Sequence, residues 1–196
     1  MASIILLGPP GAGKGTQRSK LVEKYGFKEI IPGDLMREEV RNKTPDGIIL
    51  AEYINNGLLA PHDLAMKIVK SKIDTYFSQG FNNIIFDGFP REVEQFEELN
   101  KILQGYDIFK IMAVFLLKVN NETVKERIKI RGLTSGRADD LSEDVIDKRI
   151  EIYYQKTKKV VDEYRKLNLL IEIDANKEID SVFEDIDGFL KNCMIK

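Results

Sequence analysis

Gly8, Gly13 and Lys14 stand in the spacing G-x-x-x-x-G-K, inside the run GPPGAGKGTQ that directly follows the apolar residues Ile4 to Leu7. Glycines so spaced let successive backbone N–H groups converge on an anion. The N-terminus of the helix that follows adds its partial positive charge, and the ammonium adds a full one. The chemistry this suits is phosphate binding, with Gly11, Ala12, Gly13, Lys14, Gly15 and Thr16 forming the cradle. The run departs from the general phosphate-loop spelling at Gly15, where serine or threonine ordinarily follows the lysine.

A reaction between two polyanions needs cations that clamp, neutralise and align them. Arginine suits this better than lysine, because its planar fork holds phosphate oxygens in a set geometry and keeps its proton. Candidates are Arg37 in PGDLMREEV, Arg91 in FDGFPRE, Arg127 and Arg131 in KERIKIRG, Arg137 in SGRADD and Arg149 in DKRIE. Arg127 and Arg131, four apart, share one helix face. The chain as a whole carries 30 basic and 32 acidic residues, a net charge of -2. No global basic field therefore points to nucleic acid or an anionic membrane, and an anionic ligand must be held by locally gathered cations. Asp87 ends an apolar run, and Gly88 to Arg91 turn off it, at the strand end where ligands of open α/β sheets bind.

These groups need a scaffold, and the pattern supplies one. Ile4 to Leu7, Ile84 to Asp87, Ile111 to Leu117 and Leu169 to Ile173 are apolar at consecutive positions, as in strands buried on both faces. Helical spacing fills Gly15 to Tyr25, His62 to Phe77, Glu92 to Leu103, Asn120 to Arg131 and Ser142 to Leu167. The alternation predicts an α/β fold with a central parallel sheet of about five strands flanked by helices. Pro61 suits a first helical position, Gly57 a helix stop, and Ser142-Glu143-Asp144 a capped, acid-first helix start. The polar stretch Gly132 to Leu141 is the least patterned and reads as a loop able to move. Cys193, the only cysteine, excludes an internal disulfide and any multi-cysteine zinc site, so a reducing, cytoplasmic location is expected. The apolar start is far shorter than the roughly 20 residues of a membrane span, and no export signal or membrane partner is expected. His62, beside Pro61, reads as a surface or capping residue.

GPPGAGKGTQ resembles the glycine loop of the adenylate kinase family, the nucleoside monophosphate kinases, whose lysine is followed by Gly-Thr. IIFDGFPRE resembles that family's D-G-[FY]-P-R signature, PGDLMR its acceptor segment, and RGLTSGRADD the short form of its lid. The resemblance covers essentially the whole chain. It implies one P-loop kinase domain over 1–196, with a helical acceptor-binding insert at 34–73, a short lid without zinc at 131–141, and a monomer. The implied reaction is MgATP plus AMP giving two ADP. In that scheme Asp87 holds Mg²⁺ through water and Arg127 stacks on the donor adenine, while Arg131, Arg137 and Arg149 converge on the transferring phosphoryl group. Gly33, Arg37, Gly88, Arg91 and Gln95, with Arg137 and Arg149, bind AMP. Pro32 stands where adenylate kinases commonly carry threonine. A UMP/CMP kinase shares every phosphate-handling element and stays open as an alternative. A GTPase switch would require N-K-x-D, which neither Asn42-Lys43-Thr44-Pro45 nor Asn176-Lys177-Glu178-Ile179 completes.

Overall fold

Ile4, Ile5, Leu6 and Leu7 have no exposed surface, which a strand achieves only when both of its faces are covered. A computed structural model of the chain describes residues 3–106, 110–135 and 140–194, apart from the side chains of residues 121, 134, 135 and 194. The four residues belong to β1 (Ser3–Leu7), joined by β2 (Lys28–Ile30), β3 (Ile84–Asp87), β4 (Ile111–Lys118) and β5 (Leu170–Asp174). All pairings are parallel, in the order β2-β3-β1-β4-β5. The fold is thus the expected α/β architecture. Its fifth strand, β2, escapes the apolar pattern because two of its three residues, Lys28 and Glu29, are charged, as an edge position allows.

Helices cover the sheet on both sides: α1 (Lys14–Tyr25), α4 (His62–Ser78), α5 (Val93–Gln104), α6 (Asn121–Ser135), α7 (Glu143–Ile152), α8 (Lys158–Lys166) and α9 (Ile179–Met194). The pleat sorts the strands' residues between two cores. Ile5, Leu7, Phe86, Val114 and Leu116 pack with Val69 of α4, Leu99 of α5 and Tyr164 of α8. Ile4, Leu6, Ile85, Ala113, Phe115 and Leu117 pack with Leu21 of α1 and Ile186 of α9. Each such buried aliphatic side chain contributes about 1.5–3 kcal/mol.

Two further helices, α2 (Pro32–Arg41) and α3 (Pro45–Asn55), join the start of α4 around a separate small core of Met36, Leu50 and Ala65. The two helices approach so closely that a Cβ added to Gly47 would lie 2.1 Å from the carbonyl oxygen of Glu39. Thr44 caps α3 by accepting from the N–H of Gly47 at 2.9 Å.

Local readings are corrected at four places. The stretch expected as a loop from Gly132 begins as helix, because α6 runs on to Ser135. The single helix expected over Ser142 to Leu167 is α7 and α8 joined by a π-helical turn, Tyr153–Thr157; one extra residue in a turn leaves helical periodicity nearly intact. Ser142 is the N-cap residue of α7, yet its side chain makes no capping bond, so Glu143 and Asp144 support that end through the helix dipole. Pro61 is the N-cap residue of α4 rather than its first helical residue. No helix among the described residues is long and apolar enough to cross a membrane.

Candidate active site

Leu6 of β1 is in register with Asp87 of β3, and the N–H of Gly88 donates to the carbonyl oxygen of Leu6 at 2.9 Å. The parallel sheet therefore delivers two loops to one edge, the glycine loop after β1 and the Gly88 to Arg91 loop after β3. Gly11 adopts φ +78, and a Cβ there would lie 2.7 Å from the carbonyl oxygen of Val124, so only glycine lets the loop sit this close to α6. No side chain caps the start of α1 at Gly13, which leaves first-turn N–H groups available to an anion. Lys14 Nζ donates to the carbonyl oxygens of Gly8 and Pro9, each at 2.9 Å. Burial pulls its ammonium pKa down to about 7; Asp87 opposes this, and Arg91, Arg131 and Arg149 add to it.

Between these loops and the α2–α4 insert opens a cleft of about 770 Å³. Lys14, Arg37, Arg91, Arg127, Arg131 and Arg149 all line it, as do Gly33, Asp87, Gly88, Gln95 and the glycine-loop residues Gly11 to Thr16. Arg137 lies outside the described residues. Arg91 is held at several points. Its Nε donates to the Gly88 carbonyl oxygen at 2.7 Å, and its backbone N–H to Oε1 of Gln95 at 2.9 Å. Burial, then the charge of Arg149, lowers its pKa to about 10, so it stays cationic at neutral pH. Arg37 pairs with Asp34 at 2.5 Å, and Arg127 Nη1 donates to the carbonyl oxygen of Ala175 at 3.0 Å. Gln95 is buried, 3% exposed, rather than a solvated helix residue. His62 is the partly exposed partner of Glu98, at 2.7 Å.

A cationic cleft at a glycine loop suits a polyphosphate ligand, and comparison with known proteins gives the family. The family model described as Adenylate kinase matches residues 6–169. The chain belongs to the adenylate kinase family. It is 38% identical over 193 residues to an adenylate kinase of Synechococcus sp., covering 97% of each chain. To an adenylate kinase of Bacteroides thetaiotaomicron it is 37% identical over 188 residues, covering 95% of this chain and 96% of the relative. To the UMP-CMP kinase of Homo sapiens it is 36% identical over 188 residues, covering 93% of each. Nucleoside monophosphate kinase activity is the level at which these relatives agree.

Three further residues of this adenylate kinase family member meet the site, and two of them, Arg18 and Thr157, drew no notice in the sequence. Arg18, one turn into α1, lines the cleft and places Nη1 2.7 Å from Oδ2 of Asp87. Asp140 has no exposed surface and accepts from Arg131 Nε at 2.6 Å, Arg131 Nη2 at 2.8 Å and Arg149 Nη1 at 2.6 Å. Burial opposes ionisation of Asp140, but the two guanidinium groups outweigh it and hold the carboxyl below the usual range. Thr157, in the π-helical turn, donates to the carbonyl oxygen of Arg91. The only sequence signal was the acidic pair Asp139-Asp140 amid arginines; Arg18 and Thr157 had none.

Proposed function

We propose that the protein transfers the γ-phosphoryl group of MgATP reversibly to AMP, giving two ADP. The observation that carries the acceptor is Gln95. Its amide is buried yet lines the cleft, and its Oε1 accepts from the N–H of Arg91. That bond fixes the amide's orientation and leaves Nε2 without a partner among the described residues. A primary amide both donates and accepts, matching the adjoining donor and acceptor on an adenine edge. Apolar side chains, Met36, Ile54, Leu58 and Ala65 among them, line the cleft on the insert side and suit the faces of a flat base.

In this reading the glycine loop and Lys14 hold the donor phosphates, and Arg127 stacks on the donor adenine. Arg37 and Arg91 grip the acceptor phosphate, with Gly33 and Gly88 allowing close approach. An acceptor phosphate oxygen bonds to the γ-phosphorus as its bond to the β–γ bridging oxygen breaks, so ADP leaves on one side and forms on the other. The acceptor phosphate is already ionised, hence no general base is required; positioning and charge stabilisation do the catalysis. Arg131, Arg137 and Arg149 neutralise the group in transit, and closure of 131–141 and 34–73 over the cleft excludes water.

Asp87 fits a role toward hydrated Mg²⁺: it is 8% exposed, faces the cleft, and its Oδ1 takes no hydrogen bond among the described residues. It offers the hard oxygen that this ion prefers. Bound there with ATP, Mg²⁺ would neutralise charge on the β- and γ-phosphates.

A UMP/CMP kinase is the second reading. The similarity to the UMP-CMP kinase of Homo sapiens favours it, as does cytosine, which presents the same donor–acceptor pair to an amide on a smaller ring. Pro32, at the first position of α2, offers neither hydroxyl nor N–H to a base. The test is kcat/KM for AMP, CMP and UMP at saturating MgATP. AMP is expected to lead. CMP or UMP ahead of AMP would sink the adenylate reading while leaving the kinase in place.

A further inference from the structure

We infer that Arg18 is a positioning residue whose charge sets how tightly the site takes the divalent cation that accompanies its nucleotide. The inference rests on the reading of Asp87 given above. Arg18 lies one turn beyond Lys14 on α1, with its side chain 17% exposed between two carboxylates. Its Nη1 is 2.7 Å from Oδ2 of Asp87, and its Nε is 2.6 Å from Oε1 of Glu29. The second contact lacks hydrogen-bond geometry, so the directed bond is the one to Asp87. Glu29 and Asp87 stand on neighbouring parallel strands, Glu29 in register with Ile85. The sheet thus brings two like charges to a single guanidinium.

Two consequences follow from this trio. Arg18 takes one oxygen of Asp87 and leaves the other without a hydrogen bond among the described residues, which orients the carboxylate. It also neutralises about one unit of negative charge beside the cation, which weakens the field that draws a divalent ion in. Without that charge, Glu29 loses its ion pair and Asp87 keeps only the charges of Lys14 and Arg91 beside it, so the pair of carboxylates favours a cation more strongly. A unit charge several Å away in a partly buried site is worth about three- to tenfold in cation affinity.

The experiment titrates Mn²⁺, a paramagnetic stand-in for Mg²⁺, into the full chain saturated with a non-hydrolysable ATP analogue, reading free Mn²⁺ by electron paramagnetic resonance. Arg18→Gln, which can still donate to Asp87, is expected to bind Mn²⁺ about three- to tenfold more tightly. Arg18→Lys, which keeps the charge, is expected to stay near the parent value, and Asp87→Asn to bind more weakly. If Arg18→Gln fails to fold, Arg18→Met, which keeps the apolar stem and removes the charge, carries the same expectation. Parent-like or weaker binding in these uncharged variants, with Asp87→Asn weakened, overturns the role of Arg18 alone. Unchanged binding in Asp87→Asn instead overturns the reading of Asp87 and this inference with it.

Discussion

The hydroxyl of Thr157 donates a hydrogen bond to the backbone carbonyl oxygen of Arg91 across 3.1 Å. The neighbouring Lys156 pairs with Glu92 at 2.6 Å, so two consecutive residues of the π-helical turn grip two consecutive residues of the segment between β3 and α5. Arg149, two turns earlier on the same rod, enters the same cleft. The turn therefore sets the spacing of two cleft-lining arginines, and π-helical turns are frequent at functional sites. Thr157→Val keeps the shape and removes the donor. It should raise KM for the monophosphate about fivefold, on the scale of one hydrogen bond, leave KM for ATP unchanged, and be rescued by Thr157→Ser. Steady-state kinetics with each substrate varied in turn checks this, with Arg91→Ala, expected to lose several kcal/mol of transition-state stabilisation, as the reference for a lost phosphate contact.

Lys14 is expected to make nucleotide binding dependent on pH. Its ammonium pKa of about 7 in the free cleft lies below its ordinary value of 10.5. Between those values the unfolded chain holds more protons than the folded one, so the stability of the free protein gains from Lys14 as pH rises from about 7 toward 10. A polyphosphate beside the ammonium favours its charged form and reverses the shift. At pH 8, binding of an ATP analogue should take up close to one proton, and Lys14→Met should abolish that uptake. Calorimetry in two buffers of different ionisation enthalpy gives the proton count directly; proton release, or no change between the two proteins, contradicts the expectation.

Asp140 should matter more to stability than any surface ion pair. It is wholly buried between Arg131 and Arg149, and removing the carboxylate costs roughly 3 kcal/mol because two guanidinium groups lose a buried counter-charge. Its folded pKa is depressed, so its contribution is complete above the ordinary carboxylate pKa of about 4 and is lost as pH falls below it. Asp140→Asn should lower the urea midpoint at pH 7, and the gap from the parent should narrow in acid. An equal gap at pH 7 and pH 3 would show that charge is not the cause.

Tyr164 offers a gain. Its ring is fully buried and meets Phe96 edge-on at 4.9 Å, while its hydroxyl has no partner among the described residues. Burial accordingly pushes the phenol pKa well up. Tyr164→Phe removes the unsatisfied oxygen and keeps the packing, so stability should rise by about 1 kcal/mol. Thermal and urea unfolding measure it; a loss of stability would mean that the hydroxyl is satisfied in solution.

What the sequence determined by itself is what neighbouring residues determine. Gly8, Gly13 and Lys14 announce a phosphate loop because the spacing that shapes the backbone is local, and strands such as Ile4 to Leu7 announce a sheet covered on both sides because burial writes itself in consecutive apolar residues. The loop from Asp87 to Arg91 was legible for the same reason. Three features only the tertiary structure decided. Strand order, with β3 beside β1, turned Asp87 toward the glycine loop. Packing buried Gln95, whose residue type favours the surface. Arg18 found Asp87 across 69 positions and Thr157 found Arg91 across 66; partners so far apart leave no periodic trace in the chain, because what joins them is the crossing of elements rather than the order of residues.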